Sequence, residues 1–191
     1  MPRAGLDTAA VVDAAAAIAN AEGLEAVTLA RLAGRLGVRS PSLYKHVRGL
    51  DGVRRALALR GLAEANVRIG RATVGKARDE ALFALAHAYW RFARDEPGLY
   101  AASLRAAAPG ANDVAAAGEA LLGTVLAVIA GYGVTGADAL HATRGLRAIV
   151  HGFVSLDLAG GFRLKLDLDE SFDRLLAAFA GDLGGRGAAA A

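Results

Sequence analysis

The sequence predicts an all-α fold of about nine helices, with a three-helix unit at the N-terminus and a larger helical C-terminal domain. The 191 residues are rich in Ala and Leu and include only four prolines, a composition that favours helices. Apolar residues recur at the i, i+3, i+4 spacing of amphipathic helices, and strand-like alternation is scarce. A chain of this length can bury one or two helical cores.

The first two helices are predicted over 8–23 and 29–36. Thr28 precedes the second helix, where its hydroxyl can accept a hydrogen bond from a free backbone N–H as an N-cap. Gly37 follows that helix and suits the left-handed conformation that ends many helices. The apolar stripe of the second helix comprises Leu29, Leu32, Ala33 and Leu36.

A third helix is predicted to begin with Ser40 as its N-cap and Pro41 at the first helical position. Leu43 and Val47 are four residues apart and therefore face inward together. The residues left on the outward side and its flanks are Pro41, Ser42, Tyr44, Lys45, His46 and Arg48. Two short helices joined by a tight glycine turn form a helix-turn-helix, whose second helix lies in the major groove of DNA.

Basic residues concentrate in the same region. Residues 31–60 contain eight basic side chains and one acidic side chain, a net charge of +7, whereas the whole chain carries +3. By difference, the remainder of the chain carries −4. A basic N-terminal unit on a mildly acidic body is typical of a DNA-binding head joined to a domain with a second function.

Residues 7–60 resemble the N-terminal domain of TetR-type one-component transcriptional regulators. The resemblance runs from the first helix through VTLARLAGRLGV to SPSLYKHV, and the run SLYKH after a Gly-Val turn is its most specific part. It implies an all-helical homodimer whose head binds a double-stranded DNA operator. It also implies a C-terminal domain that binds a small-molecule effector, which weakens operator binding and so relieves repression.

The resemblance further implies roles for individual residues. Thr28 and His46 would hold phosphates. The residues that would meet base edges or the DNA backbone are Arg39, Ser40, Pro41, Ser42, Tyr44 and Lys45. Many members of the family place a phosphate-binding lysine at the start of the fourth helix, and this chain lacks it. Its expected replacements are Arg48, Arg54 and Arg55.

Glycine, proline and polar clusters divide the rest of the chain into six more helices. The fourth joins the head (1–50) to the C-terminal domain (70–184), and the tail 185–191 is expected to be flexible. The predicted ranges of the fourth to ninth helices are 50–69, 77–94, 99–106, 113–130, 137–158 and 169–183.

The seventh helix is apolar nearly all round, which predicts a central, buried helix. The uncharged run 120–137 just reaches the length of a membrane span. Its glycines and threonines, with no flanking basic cluster, favour a core helix and no membrane partner.

Residues 146–180 resemble a TetR-family C-terminal subtype with a His-Gly pair in the penultimate helix. In that family the last two helices form the dimer interface, and two apolar stripes here suit a four-helix bundle with a second copy. The alternative is that both stripes cover the core of one chain. The predicted interface residues are Leu146, Ile149, Val150, Phe153, Phe172, Leu175, Leu176 and Phe179.

The effector pocket is predicted to combine aromatic walls with a few polar groups. Its candidate residues are Phe83, His87, Trp90, Tyr100 and His151, although core packing explains each of them equally well. Because the body has few inward charges, the effector is expected to be mostly apolar. A DNA-binding regulator without a small-molecule effector is the alternative function.

A distant alternative is a nucleotide-dependent enzyme, because GYGVTG at 131–136 matches G-x-G-x-x-G and Asp157 follows about twenty residues later. The preceding segment is too long and too rich in Ala and Leu for the strand that this motif needs. No catalytic set, cofactor or metal site is expected, and the absence of cysteine excludes thiolate ligands. The N-terminus lacks the apolar core of a signal peptide, which predicts a cytoplasmic protein.

Overall fold

A computed structural model describes residues 6–105 and 110–189. These residues form nine α-helices and no strand, which confirms the predicted all-α fold. The helices are α1 (Thr8–Glu22), α2 (Leu29–Leu36), α3 (Ser40–Leu43), α4 (Gly49–Thr73), α5 (Arg78–Asp95), α6 (Pro97–Ser103), α7 (Asn112–Ala130), α8 (Gly136–Leu158) and α9 (Leu168–Ala189). A 3₁₀ turn at Leu24–Ala26, between α1 and α2, has no counterpart in the prediction.

The ends of α2 are formed as predicted. The Thr28 side chain accepts a hydrogen bond from the backbone N–H of Arg31 at 3.2 Å, which satisfies one of the free donors of the first turn. Gly37 ends the helix with φ 65° and ψ 31°, a left-handed conformation that glycine adopts without steric cost. The turn of the helix-turn-helix is therefore set by local chemistry.

The predicted cap of α3 is wrong by one residue. Arg39 has the extended backbone of a capping residue, with φ −82° and ψ 143°, so Ser40 is already helical and makes no cap. The helix is also shorter than expected, because it ends at Leu43 and continues only as a turn in which the His46 N–H donates to the Leu43 carbonyl at 2.9 Å. The next helix begins at Gly49, whose φ of 67° redirects the chain.

Two helices extend beyond their predicted ends. Gly70 does not interrupt α4, because a helical glycine costs only about 1 kcal/mol relative to Ala and the neighbouring Ile69 is fully buried. The Thr73 hydroxyl hydrogen-bonds the carbonyls of Ile69 and Gly70 in the last turn. Helix α9 reaches Ala189, so the predicted flexible tail is helical over 185–189; residues 190 and 191, like Ala106 of the predicted sixth helix, lie outside the described residues.

Backbone contacts divide the chain into two units, whose boundaries differ from those of the predicted domains 1–50 and 70–184. Among the described residues, the first unit comprises 6–64, 95–105 and 110–118. The second unit comprises 65–94 and 119–189. Helix α6, predicted to lie in the C-terminal domain, is thus part of the head unit.

A single polar side chain joins α6 to α1 in the first unit. The Asn20 side-chain oxygen accepts hydrogen bonds from the N–H groups of Gly98 and Leu99, at 2.9 and 3.3 Å. Its amide donates to Glu96, which immediately precedes the helix. Asn20 therefore serves α6 as a cap supplied from another helix.

The prediction that α7 is central and buried is wrong. Of its side chains only Val114, Val128 and Ile129 are buried. Eight of the 19 residues of α7 are Ala or Gly, whose small side chains make a helix apolar without requiring a core around it. By length and composition α7 is also the one described helix that could cross a membrane, with a mean hydropathy of 1.7. Its Thr124 hydroxyl is hydrogen-bonded to the Asn66 side chain of α4 at 2.7 Å.

The second unit has an aromatic core built around the single tryptophan. The Trp90 ring packs edge-on against Phe153 and Phe172, with centroids 5.1 and 5.0 Å away. The indole N–H donates to Asp157 at 2.7 Å, which satisfies the one polar atom of a buried indole.

This core overturns most of the predicted dimer interface. Leu175 is exposed, and Ile149 and Phe179 are half-buried. The other five predicted residues are buried within their own chain: Leu146, Val150, Phe153, Phe172 and Leu176. An apolar stripe identifies the buried face of a helix but not the molecule that covers it, and here the chain itself covers it.

Candidate nucleic-acid interface

The helix-turn-helix presents the faces that its sequence predicts. Leu43 and Val47 are buried and anchor α3 and its following turn in the head. Tyr44 is 62 % exposed, and Lys45 and Arg48 are exposed beside it. The remaining predicted contact residues also reach the surface, with Arg39 and Pro41 exposed and Ser40, Ser42 and His46 partly exposed.

Two threonines fix this surface. The Thr8 hydroxyl donates to the backbone carbonyl of His46 at 3.1 Å, which ties the start of α1 to the turn after α3. Thr28 is exposed at the start of α2, and its oxygen is engaged by the Arg31 N–H. Its own hydroxyl hydrogen remains available to a phosphate, as do the free N–H groups of this helix N-terminus.

The eight basic side chains of residues 31–60 fall into two groups. Four arginines are engaged by carboxylates of the same unit, and the hydrogen bond from Arg55 lowers the pKa of Asp113. These pairs are Arg31–Glu22, Arg54–Glu25, Arg55–Asp113 and Arg60–Asp13. The other four cations have no carboxylate within 4.0 Å among the described residues: Arg35, Arg39, Lys45 and Arg48.

All four unpaired cations lie between residues 35 and 48, at the turn and α3. Charges that are already paired gain little from a phosphate, whereas unpaired surface cations release counterions when they bind DNA. The unpaired cations are therefore concentrated on the helix-turn-helix rather than spread over residues 31–60. Of the three expected replacements for the missing lysine, Arg54 and Arg55 are paired with carboxylates and Arg48, among the described residues, is not; its role as the replacement stays a prediction.

Two segments of the chain match known family models. Residues 11–49 match the model of bacterial regulatory proteins of the tetR family, and residues 82–179 match a tetracyclin repressor-like C-terminal domain. The chain belongs to the TetR family. It is therefore a DNA-binding transcriptional regulator, in a family of regulators rather than enzymes. The His-Gly subtype of its C-terminal domain stays a prediction.

Individual relatives agree with this assignment. The HTH-type transcriptional regulator YobS of Bacillus subtilis (strain 168) is 39 % identical over 170 residues, which cover 89 % of this chain and 88 % of YobS. Rv0681 of Mycobacterium tuberculosis H37Rv, also an HTH-type transcriptional regulator, is 34 % identical over 158 residues, or 82 % of this chain and 72 % of Rv0681. A solved Rhodococcus sp. RHA1 protein of unknown function superposes with a TM-score of 0.82 at 25 % identity, covering 96 % of this chain and 99 % of its own.

The G-x-G-x-x-G segment of this TetR-family regulator is a connector between two helices. Tyr132 is buried at its centre and donates a hydrogen bond to Asp79 at 2.7 Å. Burial and this hydrogen bond raise the pKa of Tyr132 well above its ordinary value. Asp157 is engaged by Trp90, as described above, and the described residues contain no strand and no group of three His, Asp or Glu side chains that could hold a metal ion.

The predicted effector residues do not come together as a set. An open cleft of about 930 Å³ lies between α5 and α9 in the second unit, and Phe83 and His87 line it. Trp90 is instead part of the aromatic core, and His151 lies on α8 outside this cleft. Tyr100 is buried in α6, in the first unit.

Charged and apolar side chains both line the cleft. The His87 imidazole lies 2.6 Å from a carboxylate oxygen of Asp173 and 3.7 Å from one of Asp169, which joins α5 to α9 at one end. At the other end the Arg78 guanidinium lies over the Tyr132 ring, 5.0 Å from its centroid. Sequence reasoning missed Arg78, Asp169 and Asp173 because α5 and α9 are far apart in the chain, and their side chains converge only when the two helices lie side by side.

Proposed function

We propose that this regulator is a cytoplasmic, homodimeric repressor that binds a palindromic operator and releases it when a small molecule occupies the C-terminal domain. The observation that carries the proposal is the set of unpaired cations beside Tyr44 on the exposed side of the helix-turn-helix. Bases and phosphates require this combination of cations, hydroxyls and an aromatic ring. One head reads a single half-site, so a palindromic operator requires two copies.

We propose that the second copy binds the outward faces of α8 and α9. On α8 this face carries Leu140, Arg144, Ala148, Gly152 and Leu156, and on α9 it carries Leu175 and Ala178. A methyl group added at Gly152 would meet no atom of its own chain within 4 Å, so the in-chain packing gives no reason for a glycine there. Small residues allow the backbone of another helix to approach closely, and a two-fold axis would bring the same faces together.

The cleft between α5 and α9 supports an amphipathic effector rather than the mostly apolar one expected from sequence. Phe83 and the small residues of α9 offer apolar contact, whereas His87, Asp169 and Asp173 would leave charges facing an apolar ligand. Covering these polar groups with an apolar ligand would remove them from water at a cost in free energy, so a ligand with a polar group at this end is favoured. An effector acts only to the extent that it binds the two head arrangements with different affinity.

A DNA-binding titration tests the proposal. The purified protein should bind a duplex from the region upstream of its own gene, or one selected from a random duplex library, and affinity should fall steeply with salt. Each phosphate contact contributes a slope of about 0.9 in log affinity against log salt. Gel shift and fluorescence anisotropy at increasing salt measure this slope; a protein that shows no preference among duplexes would contradict the proposal.

A further inference from the structure

Exposed apolar side chains of this regulator concentrate at the end of α8 and in the loop that joins it to α9. Eleven large apolar side chains are exposed among the described residues, and five of them fall between residues 156 and 166: Leu156, Leu158, Phe162, Leu164 and Leu166. Leu164 and Leu166 are 79 % and 71 % exposed. Clusters of this kind on a soluble protein mark an interaction surface more often than single exposed leucines do.

The segment is held at its N-terminal end. Gly160 takes a φ of 64°, and the Gly161 N–H donates to the Leu156 carbonyl at 2.7 Å, closing the end of α8. The ring of Phe162 then lies against Phe153 of the aromatic core, with centroids 4.7 Å apart. The chain therefore leaves the core in a defined direction.

The C-terminal end is held by the start of α9. The Asp167 side chain accepts a hydrogen bond from the Glu170 N–H at 3.0 Å, and the Ser171 hydroxyl donates to the Asp167 carbonyl at 2.8 Å. Residues 162–166, named here the connector arm, are thus fixed at both ends. Its two leucines are presented to solvent by anchored backbone and have no core of their own chain to enter.

The charges on and around the connector arm indicate what covers it. Arg163 and Lys165 alternate with the leucines and have no carboxylate within 4.0 Å among the described residues. Asp167, directly after the arm, is exposed and has no cation within 4.0 Å among the described residues, whereas Asp169 and Glu170 lie beside His87 and Arg174 of their own chain. A two-fold axis sets such a surface against itself, so that the cations of one copy face the carboxylate of the other.

The exposed surface is also continuous with the proposed dimer face. Leu156 belongs both to the outward stripe of α8 and to the cluster that ends in the connector arm. We propose that the connector arm packs on a second copy of this chain, where Leu164 and Leu166 are buried and extend the interface of α8 and α9. This inference rests on the proposed homodimer.

The double substitution Leu164→Asp and Leu166→Asp tests the inference. It removes four buried leucines from each dimer and adds four carboxylates, so the dissociation constant of the dimer should rise by about a hundredfold or more. Sedimentation velocity over a dilution series measures it. The matched control is Val67→Asp with Val74→Asp, which replaces two exposed valines elsewhere in the same unit and should leave dimerisation unchanged.

The fold of each variant is checked by circular dichroism and by the fluorescence of Trp90, which senses the core on which Phe162 rests. A wild-type dimer that the Leu164/Leu166 double variant does not weaken would overturn the role of the arm while leaving the homodimer intact. A wild-type protein that stays monomeric would overturn both proposals. Co-sedimentation of the wild type, but not the double variant, with phosphatidylcholine–phosphatidylglycerol vesicles, without an effect on dimerisation, would assign the arm to a membrane surface instead.

Discussion

The double substitution Lys45→Ala and Arg48→Ala should reduce affinity for the selected operator on the order of 10³-fold, since each lost contact costs roughly 1–3 kcal/mol and both heads lose two. Lys45 and Arg48 are exposed, and neither is paired with a carboxylate among the described residues. Their removal therefore deletes positive charges that are available to DNA and breaks no internal ion pair. The salt slope should become shallower by about one for each phosphate contact removed.

The matched control is Arg174→Ala with Arg186→Ala. It removes the same net charge from α9, where each arginine is paired with a carboxylate four residues earlier. If binding followed overall charge, this control would weaken it as much as the double substitution in the head. Equal losses measured by anisotropy would contradict a DNA interface centred on the helix-turn-helix.

The most predictable parts of the molecule depend on chemistry within a few residues. The Thr28 cap, the left-handed Gly37 and the inward pair Leu43 and Val47 follow from residue types at short spacing, and the structure contains each of them. The limits of α3 were harder to predict, because they depend on whether Arg39 or Ser40 takes the extended conformation.

Properties that depend on distant residues were not predictable in this way. The eight basic residues of 31–60 look equivalent in sequence, yet half of them are paired with carboxylates that lie 9 to 58 positions away. The stripes on α8 and α9 were correctly identified as buried faces, but periodicity contains no information about which molecule buries them. The same limit explains α7, whose apolar composition did not imply a central position.

Helical spacing also determined which of the predicted effector residues lie together in the cleft. Phe83 and His87 lie one turn apart on α5, so a helix places both in the same wall. Tyr100 was assigned to the C-terminal domain because α6 follows α5 in the chain. Its membership of the head unit follows from the packing of α6 on α1, to which Asn20, 76 positions before Glu96, contributes hydrogen bonds.

The contact between α1 and α6 yields the second large effect, because Gly98→Ala should destabilise the first unit by about 3 kcal/mol or more. A Cβ at Gly98 would overlap the backbone of Ala19 and lie 2.5 Å from the amide nitrogen of Asn20. Backbone atoms cannot rotate away as side chains can, so α6 must shift and break the hydrogen bonds from Gly98 and Leu99 to Asn20. Overpacking costs 1–3 kcal/mol and occasionally more, and the lost cap adds about 1 kcal/mol.

The same substitution at Gly34 is expected to have the opposite sign. Gly34 lies within α2 in the same unit, and an added Cβ would meet no atom within 4 Å, so Gly34→Ala gains helix propensity of up to about 1 kcal/mol. Urea unfolding followed by circular dichroism gives both values. Because the chemical change is identical, a Gly98→Ala variant as stable as Gly34→Ala would mean that α6 does not pack against α1 at the distance that the structure shows.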